Sequence, residues 1–467
     1  MLHWFVGKHN DDLRALCASS SADPAAAALP AASVPVPLTA SEYFSWFARA
    51  FAGVSTPRRF AAPAQLHVDC AYGVGAPAAA RLIAAVATAE APAQPRFAPT
   101  LLGDAGADAA AGADAATLAQ RLNFECGADF VQKEKRYPSC FPAALVAGAE
   151  AEAAVAAATA LGAASENEGE SAMRFASLDG DADRLVYYHA AAPAPAASAA
   201  FTAPTAAGGP VLRLIDGDRM AAVLCGYLSA ALTAAALPKL GLSPSLGAIQ
   251  TAYANSASSR YIEALGGFTR VVTCTGVKHL HKAAQAFDLA VYFEANGHGT
   301  VHFSRQFLAA LNAEVAAEAA AAGTDSGRLT ADELAAAQSF LALTRVVNPY
   351  IGDALSCMLL LELAQLTLPN CSLPGISALY SDLASRMDKV TVRDRRVITT
   401  TNAEQTCVTP AGLQDAIDAA IAAVPFGRAF VRPSGTEDIV RVFAEGETQA
   451  QADHLCAAVQ KLVREFC

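Results

Sequence analysis

The chain predicts an α/β fold of mixed or parallel sheets followed by a smaller α+β unit, and three observations predict it. Short apolar runs alternate with helix-length segments between Leu66 and Phe293, the pattern of strands covered on both faces. Several of those runs end in polar, glycine-bearing loops, and open α/β sheets bind ligands outside the carboxyl ends of their strands. From about Thr391 the order changes to a strand, a helix, two strands and a closing amphipathic helix, an α+β arrangement. With 467 residues the chain has length for about three domains of roughly 100–200 residues, each able to bury a core without staples.

Taken in order, Ala40–Phe51 reads as an amphipathic helix, and Leu66-His67-Val68-Asp69-Cys70 as a short strand. That strand runs through Tyr72-Gly73-Val74-Gly75 into an alanine-rich helix near Pro77–Ala89, a βα unit. Four alanine-rich stretches, Ala22–Ala32, Ala105–Ala116, Ala143–Ala164 and Ala190–Ala207, read as surface insertions, helical or disordered. A second block opens at Leu214-Ile215-Asp216 with a long helix behind Asp216-Gly217-Asp218, a good N-cap context. Leu246–Thr251 is a strand, about Ser256 to Leu265 a helix, Arg270–Thr273 a strand, Ala283–Phe287 a helix end and Leu289–Phe293 a further strand. Residues 305–385 read as helical with a loop around Asn348–Gly352. The closing unit holds a strand-like Val397–Thr401, a helix at Pro410–Ala423, the strands Ala429–Val431 and Ile439–Ala444, and a helix from about Ala450 to Phe466. The units fall at 1–60 (a leading segment with a linker helix), 61–210, 211–385 and 386–467.

The net charge of −11, with no basic cluster interleaved with aromatics, argues against a nucleic-acid partner. Eleven cysteines without a CxxC or zinc spacing read as free thiols of a reducing compartment, which places the protein in the cytoplasm. No signal peptide is read in Met1–Asn10, which is mixed and followed by Asp11-Asp12. Ala221–Pro238 is uncharged and nearly long enough to span a bilayer, but it is mostly alanine broken by Gly226, Ser229 and Thr233. It is expected as a buried helix, and no membrane partner is expected.

The strongest chemical signal is Asp179-Gly180-Asp181-Ala182-Asp183-Arg184, between an apolar run and the β-rich Leu185-Val186-Tyr187-Tyr188. Three hard oxygen ligands in five residues suit a small hard cation that keeps sites open for phosphate oxygens, Mg²⁺ before Zn²⁺. Arg184 is placed to grip phosphate. A solvated acidic turn is the alternative; an EF-hand loop is a weaker one still, because Ala190 stands where its closing glutamate belongs.

Three further loops carry polar groups. Glu294-Ala295-Asn296-Gly297-His298 follows a buried strand; Glu294 and Asn296 are able to bracket sugar hydroxyls and His298 to shuttle a proton, although a plain polar turn has the same look. Arg432-Pro433-Ser434-Gly435-Thr436-Glu437, with Arg441 beyond it, gathers hydroxyls, a glycine-freed backbone and two guanidiniums suited to a phosphate dianion, against the alternative of a tight turn with a solvated arginine. Thr275-Gly276-Val277-Lys278-His279 is a weaker loop whose Lys278 serves phosphate or is a surface lysine at a helix start.

The ordered set Phe-x-x-x-Asp-Gly-Asp-Ala-Asp-Arg, Gln250-Thr251-Ala252-Tyr253-Ala254-Asn255, Thr-Gly-Val-Lys-His-Leu-His, Tyr-Phe-Glu-Ala-Asn-Gly-His-Gly-Thr and Phe-Val-Arg-Pro-Ser-Gly-Thr-Glu-Asp resembles the α-D-phosphohexomutases. The Glu-Ala-Asn-Gly-His form is similar to their phosphoacetylglucosamine mutase branch, and the resemblance covers nearly all of 60–467 outside the alanine stretches. It implies phosphohexomutase domains, with Mg²⁺ on Asp179, Asp181 and Asp183 and the sugar against Glu294, Ala295 and Asn296. It puts the non-reacting phosphate on Arg432, Pro433, Ser434, Gly435, Thr436 and Arg441. His298, Lys278 and Arg184 are the candidates to support catalysis. The implied reaction interconverts N-acetylglucosamine 6-phosphate and 1-phosphate through a phosphoserine and a 1,6-bisphosphate, for UDP-N-acetylglucosamine synthesis, with N-acetylglucosamine phosphates as partners.

Two departures stand out. The family's nucleophilic serine lies in a Thr-Ala-Ser-His-Asn-Pro loop that this sequence lacks; Thr39-Ala40-Ser41 is followed by Glu42-Tyr43 inside the amphipathic helix. Leu2-His3-Trp4-Phe5 resembles a stretch that the family places well after the serine, so residues 1–60 read as a remnant of a first domain and the 467-residue chain is expected to be inactive. Cys274 stands where related mutases usually carry a lysine. A non-catalytic phosphosugar-binding module and a phosphotransferase with Asp179 as nucleophile are the competing readings.

Overall fold

The computed structural model describes residues 39–56, 65–90, 96–160, 173–191, 211–322, 326–349 and 351–467. The expectations for residues 2–5, 22–32 and 192–207 lie outside them.

The first sheet contains β1 (Leu66–Asp69), β2 (Thr100–Leu102), β3 (Arg174–Leu178), β4 (Leu185–Ala191) and β5 (Val211–Ile215), in the order β2-β1-β3-β4-β5. β1 pairs in parallel with β2 and β3, while β4 and β5 are antiparallel. The link from β3 to β4 is too short for a crossover, so it closes a hairpin and makes the sheet mixed. β5 therefore completes the first sheet, although the sequence pattern has it opening the next block; its pairing with Tyr187–Ala191 decides this.

The second sheet contains β6 (Leu246–Thr251), β7 (Phe268–Thr273), β8 (Leu289–Phe293) and β9 (Gly299–Phe303), in the order β7-β6-β8-β9. Three of these strands follow the sequence reading, and β9 is additional. The order repeats that of β2-β1-β3-β4: a parallel pair, a third parallel strand, then a hairpin. The acidic loop and the Glu294 loop thus hold the same place in two copies of one topology.

The last unit is an antiparallel sheet, β10-β14-β13, of β10 (Ala384–Thr391), β13 (Arg428–Pro433) and β14 (Ile439–Gly446). The helices Leu413–Ala422 and Gln449–Phe466 cover it, and a small hairpin of β11 (Thr399–Thr401) and β12 (Thr406–Thr409) adjoins it. The segment read as a strand at Val397–Thr401 begins as a 3₁₀ turn, Arg395–Val397, and only Thr399–Thr401 is extended.

The helix Ala354–Thr367 is buried from Ala354 through Ala364 and shares one core with the helices Ala40–Gly53 and Gly217–Ala234. Among the described residues no helix is long and apolar enough to cross a membrane. Ala40–Gly53 starts at a capping box, where Thr39 accepts from the Glu42 N–H and Glu42 accepts from the Thr39 N–H, and Ser41 lies in its first turn. One expectation is corrected: Ala143–Ala160 is not a surface insertion, because Ala149 and Ala153 are buried on the sheet in a cluster with Phe175 and Tyr188. Alanine carries too little apolar area to announce a buried face.

Candidate active site

The carboxyl end of β1 ties the acidic loop to its surroundings. Asp69 is fully buried and accepts from Ala71 N (2.8 Å), Gly127 N (2.6 Å) and Ser177 Oγ (2.9 Å), fastening the helix Gly127–Glu134 and β3 together. Burial pushes its carboxyl above the usual carboxylate range, against those three donors. Val74 N donates to Gly180 O at 3.0 Å, and a Cβ on Gly73 would lie 2.1 Å from that oxygen, so only glycine allows this approach.

On the loop itself, Asp179 is buried, Asp183 half-buried and Asp181 exposed, with one oxygen of each within 4.8 Å of the others. A cation about 2.1 Å from each oxygen would hold them at most about 4.2 Å apart, so slight closure suffices. Asp179 Oδ1 accepts from the backbone N–H of Asp183 (3.0 Å) and Arg184 (3.1 Å), which aims the loop. Burial, and then the Asp183 charge, raise the Asp179 carboxyl above its ordinary value. Asp183 Oδ1 is buried without a hydrogen-bond partner. A buried oxygen with no hydrogen bond, its ion-pair partner Arg184 Nε standing off at 3.8 Å, beside two more carboxylates fits a divalent cation, and the three aspartates are the residues able to hold one.

The two hairpin loops meet. Arg184 and His298 form an antiparallel bridge, Leu185 N donates to Gly297 O (3.2 Å), and His298 Nδ1 lies 3.4 Å from Asp183 Oδ2 while its buried Nε2 has no partner. Arg184 lies 3.5 Å from both Asp179 and Asp129. Ala295 O accepts from Gln132 Nε2 (2.7 Å) and Gly217 N (3.2 Å), and a Cβ on Gly217 would fall 1.8 Å from Glu294 O. Glu294 Oε1 accepts from Gly276 N at 2.8 Å, and Asn296 Nδ2 donates to Glu294 Oε2 at 3.3 Å. A cavity of about 420 Å³ opens beside Asp179 and Arg184, lined also by Asn123, Asp129, Lys133 and Glu134.

In the last unit Arg432 on β13 sits directly opposite Arg441 on β14. Like charges in register repel unless an anion sits between them. Ser434 Oγ accepts weakly from Thr436 N (3.4 Å) and Glu437 N (3.3 Å), shaping the Pro433-Ser434-Gly435-Thr436 turn, and Arg395 Nη2 donates to Gly435 O (3.0 Å). The turn reaches the second sheet through Glu404, whose Oε1 accepts from Arg432 Nε (2.9 Å) and Oε2 from Thr275 Oγ1 (3.0 Å). The acidic, Glu294, Thr275 and Arg432 loops are therefore joined in one chain of contacts. Lys278 stands exposed on the first turn of Val277–Ala284, and Cys274 is half-buried in the Thr275 loop.

Sequence reasoning missed Asp129, Gln132, Arg395 and Glu404. The first two share the helix Gly127–Glu134 at a three-residue spacing, a signal that was available; a lone glutamate in Asn402-Ala403-Glu404 carries none.

Two sheets of one topology presenting paired hairpin loops, with an arginine turn linked to the second sheet through Glu404, define a phosphohexomutase-type chain. Residues 216–368 match the family model for phosphoacetylglucosamine mutase AMG1, domain III, and 410–462 match that for the phosphoglucomutase/phosphomannomutase C-terminal domain. The chain is 40% identical over 343 residues to phosphoacetylglucosamine mutase of Mus musculus, covering 73% of this chain and 52% of that protein. It is 32% identical over 431 residues to that of Saccharomyces cerevisiae, covering 91% and 65%. A solved structure of Aspergillus fumigatus N-acetylphosphoglucosamine mutase in complex with GlcNAc-6P and magnesium aligns with a TM-score of 0.68 at 32% identity, over 91% of this chain and 66% of that one. Over the parts that align, the chain is similar to the phosphoacetylglucosamine mutases. It spans about half the length of the mammalian and plant relatives it matches.

Proposed function

We propose that this chain carries the magnesium, sugar and phosphate sites of a phosphoacetylglucosamine mutase, which interconverts N-acetylglucosamine 6-phosphate and N-acetylglucosamine 1-phosphate through a 1,6-bisphosphate. The observation that carries this reading is the run of contacts from Asp183 to His298, Glu294 to Gly276, and Thr275 through Glu404 to Arg432. A cation site, a hydroxyl-binding carboxylate and a guanidinium pair joined by one run of contacts suit a sugar bearing phosphate at one end and a reacting position at the other.

Arg432 and Arg441, with the Ser434, Gly435 and Thr436 turn, hold the phosphate that is not reacting. Glu294 and Asn296 orient the sugar hydroxyls beside Ala295. His298 Nε2, free of a protein partner, takes or returns the proton of the hydroxyl at the reacting end. Arg184 faces the transferring phosphoryl oxygens, and Lys278 is within the same loop system. Asp179, Asp181 and Asp183 would hold Mg²⁺, which when bound would neutralise charge on that phosphoryl group. The sequence holds no Thr-Ala-Ser-His-Asn-Pro loop, so these residues bind and orient, and turnover by the 467-residue chain alone is not expected. All ten described cysteines are free thiols, which supports a cytoplasmic location.

Calorimetry tests the reading. N-acetylglucosamine 6-phosphate should bind more tightly than N-acetylglucosamine, and Arg441→Ala should weaken it by about 1.5–3 kcal/mol, the range for hydrogen bonds to charged groups. Equal affinity for the sugar with and without phosphate would sink it.

A further inference from the structure

We propose that Glu404 is a resident anion of the arginine clamp, and that a phosphosugar binds by displacing its carboxylate from Arg432. The inference rests on reading Arg432 and Arg441 as a phosphate site and adds what occupies that site before the ligand arrives. Glu404 lies between β11 and β12 at the end of three successive left-handed residues, Asn402, Ala403 and Glu404, with φ of 51°, 54° and 71°. L-residues rarely adopt this backbone, and here it delivers one side chain out of its own hairpin.

The carboxylate crosses to two partners. Oε1 accepts from Arg432 Nε at 2.9 Å; Oε2 accepts from Thr275 N at 3.2 Å and Thr275 Oγ1 at 3.0 Å. A guanidinium edge, a backbone N–H and a hydroxyl are the donors a phosphate oxygen takes. The ion pair is sheltered, with the Arg432 and Glu404 side chains 25% and 17% exposed. Arg441, directly across the strand pair from Arg432, is exposed and makes no ion pair among the described residues. One internal negative charge thus meets one guanidinium of a pair in register. A phosphate dianion matches both, so it outcompetes a carboxylate that reaches only one.

The displacement has a consequence for the sugar loop. Thr275 adjoins Gly276, whose N–H holds Glu294 Oε1 at 2.8 Å. Releasing Glu404 frees Thr275 for the ligand and loosens the turn that positions Glu294, which couples phosphate capture to sugar contact. The opposing possibility is that Glu404 braces Arg432 in its binding pose, in which case removing the charge would weaken binding.

Titration of the 467-residue chain with inorganic phosphate and with N-acetylglucosamine 6-phosphate separates the two. Glu404→Gln keeps the shape and removes the charge, and should tighten both ligands by roughly tenfold, given the strength of hydrogen bonds to charged groups. Glu404→Asp, too short to reach Arg432 and Thr275 together, should tighten them by a smaller factor. Unchanged or weaker binding in both variants, with Arg432→Ala still abolishing binding, overturns the resident anion and makes Glu404 a brace. Failure of the unsubstituted chain to bind either ligand, or full binding by Arg432→Ala, instead removes the clamp reading and this proposal with it.

Discussion

Glu445→Ala should loosen the C-terminal sheet from the loop that follows β6. Glu445 is fully buried on β14; its Oε2 accepts from Arg428 Nε (3.0 Å) and Ser256 Oγ (2.5 Å), and its Oε1 from Ser256 N (3.1 Å). Arg428 in turn donates to Ala252 O (2.5 Å) and Ala254 O (2.7 Å), so this one carboxylate fastens the C-terminal sheet to the loop after β6. Removing one partner of a buried ion pair costs about 3–5 kcal/mol. Arg428 keeps its two carbonyls and is 26% exposed, which sets the expectation at the low end, about 3 kcal/mol. That is on the order of a hundredfold in an equilibrium constant. Urea unfolding measures the loss, and hydrogen exchange at residues 252–256 locates it. N-acetylglucosamine 6-phosphate affinity should fall as well, because Arg432 no longer faces Thr275 in a fixed pose. A loss below about 1 kcal/mol with unchanged exchange at 252–256 would refute the reasoning. The stacked Phe430 and Phe443 against Tyr253 would then carry the junction by themselves.

Three further outcomes are expected. Millimolar Mg²⁺ should raise the melting temperature, since an ion that binds the folded carboxylates stabilises by mass action, and Asp181→Ala should abolish the rise; scanning fluorimetry reads both. Gly217→Ala places a methyl 1.8 Å from Glu294 O, so the Glu294 loop must shift and sugar-phosphate affinity should drop more than tenfold in titration, whereas Gly226→Ala, with open space around it, should change nothing. His189 is buried against Ser377 Oγ (2.9 Å), and burial, followed by the Arg213 and Arg219 charges, lowers it from 6.5 to about 4. Only the unfolded chain takes up its proton between those values, so the neutral ring's contribution is full above pH 6.5 and is lost as pH falls toward 4. The full gap amounts to about 3 kcal/mol, and His189→Gln should flatten the fall in urea-unfolding free energy between pH 7 and pH 4.5 by about 2.4 kcal/mol of it.

Much of this was legible in the chain. Leu246–Thr251, Ser256–Leu265 and Leu289–Phe293 carry their own signals, a buried apolar run or a capped 3.6-residue period, and appear at the residues expected. The acidic loop was legible for the same reason, since its ligands are contiguous and its flanking strands strongly apolar. β10 was hidden: Arg386, Met387, Asp388 and Lys389 show no alternation, and its extended state comes from pairing along its full length with β14. Ala143–Ala160 was misjudged because alanine presents no amphipathic face, and only the sheet beneath Ala149 and Ala153 gives it one.

The sequence by itself determined which reactive groups exist and at which strand ends they stand: the three aspartates after β3, Glu294 and Asn296 after β8, the arginine turn after β13. The tertiary structure alone decided which of them face one another. Arg184 meets His298 because two hairpins of the same topology are set loop to loop, and Glu404 meets Arg432 and Thr275 because a left-handed turn aims it out of its own hairpin. Hydrogen bonds and ion pairs act over a few ångströms, and residues 28 and 129 positions apart come within that range only after the sheets have packed.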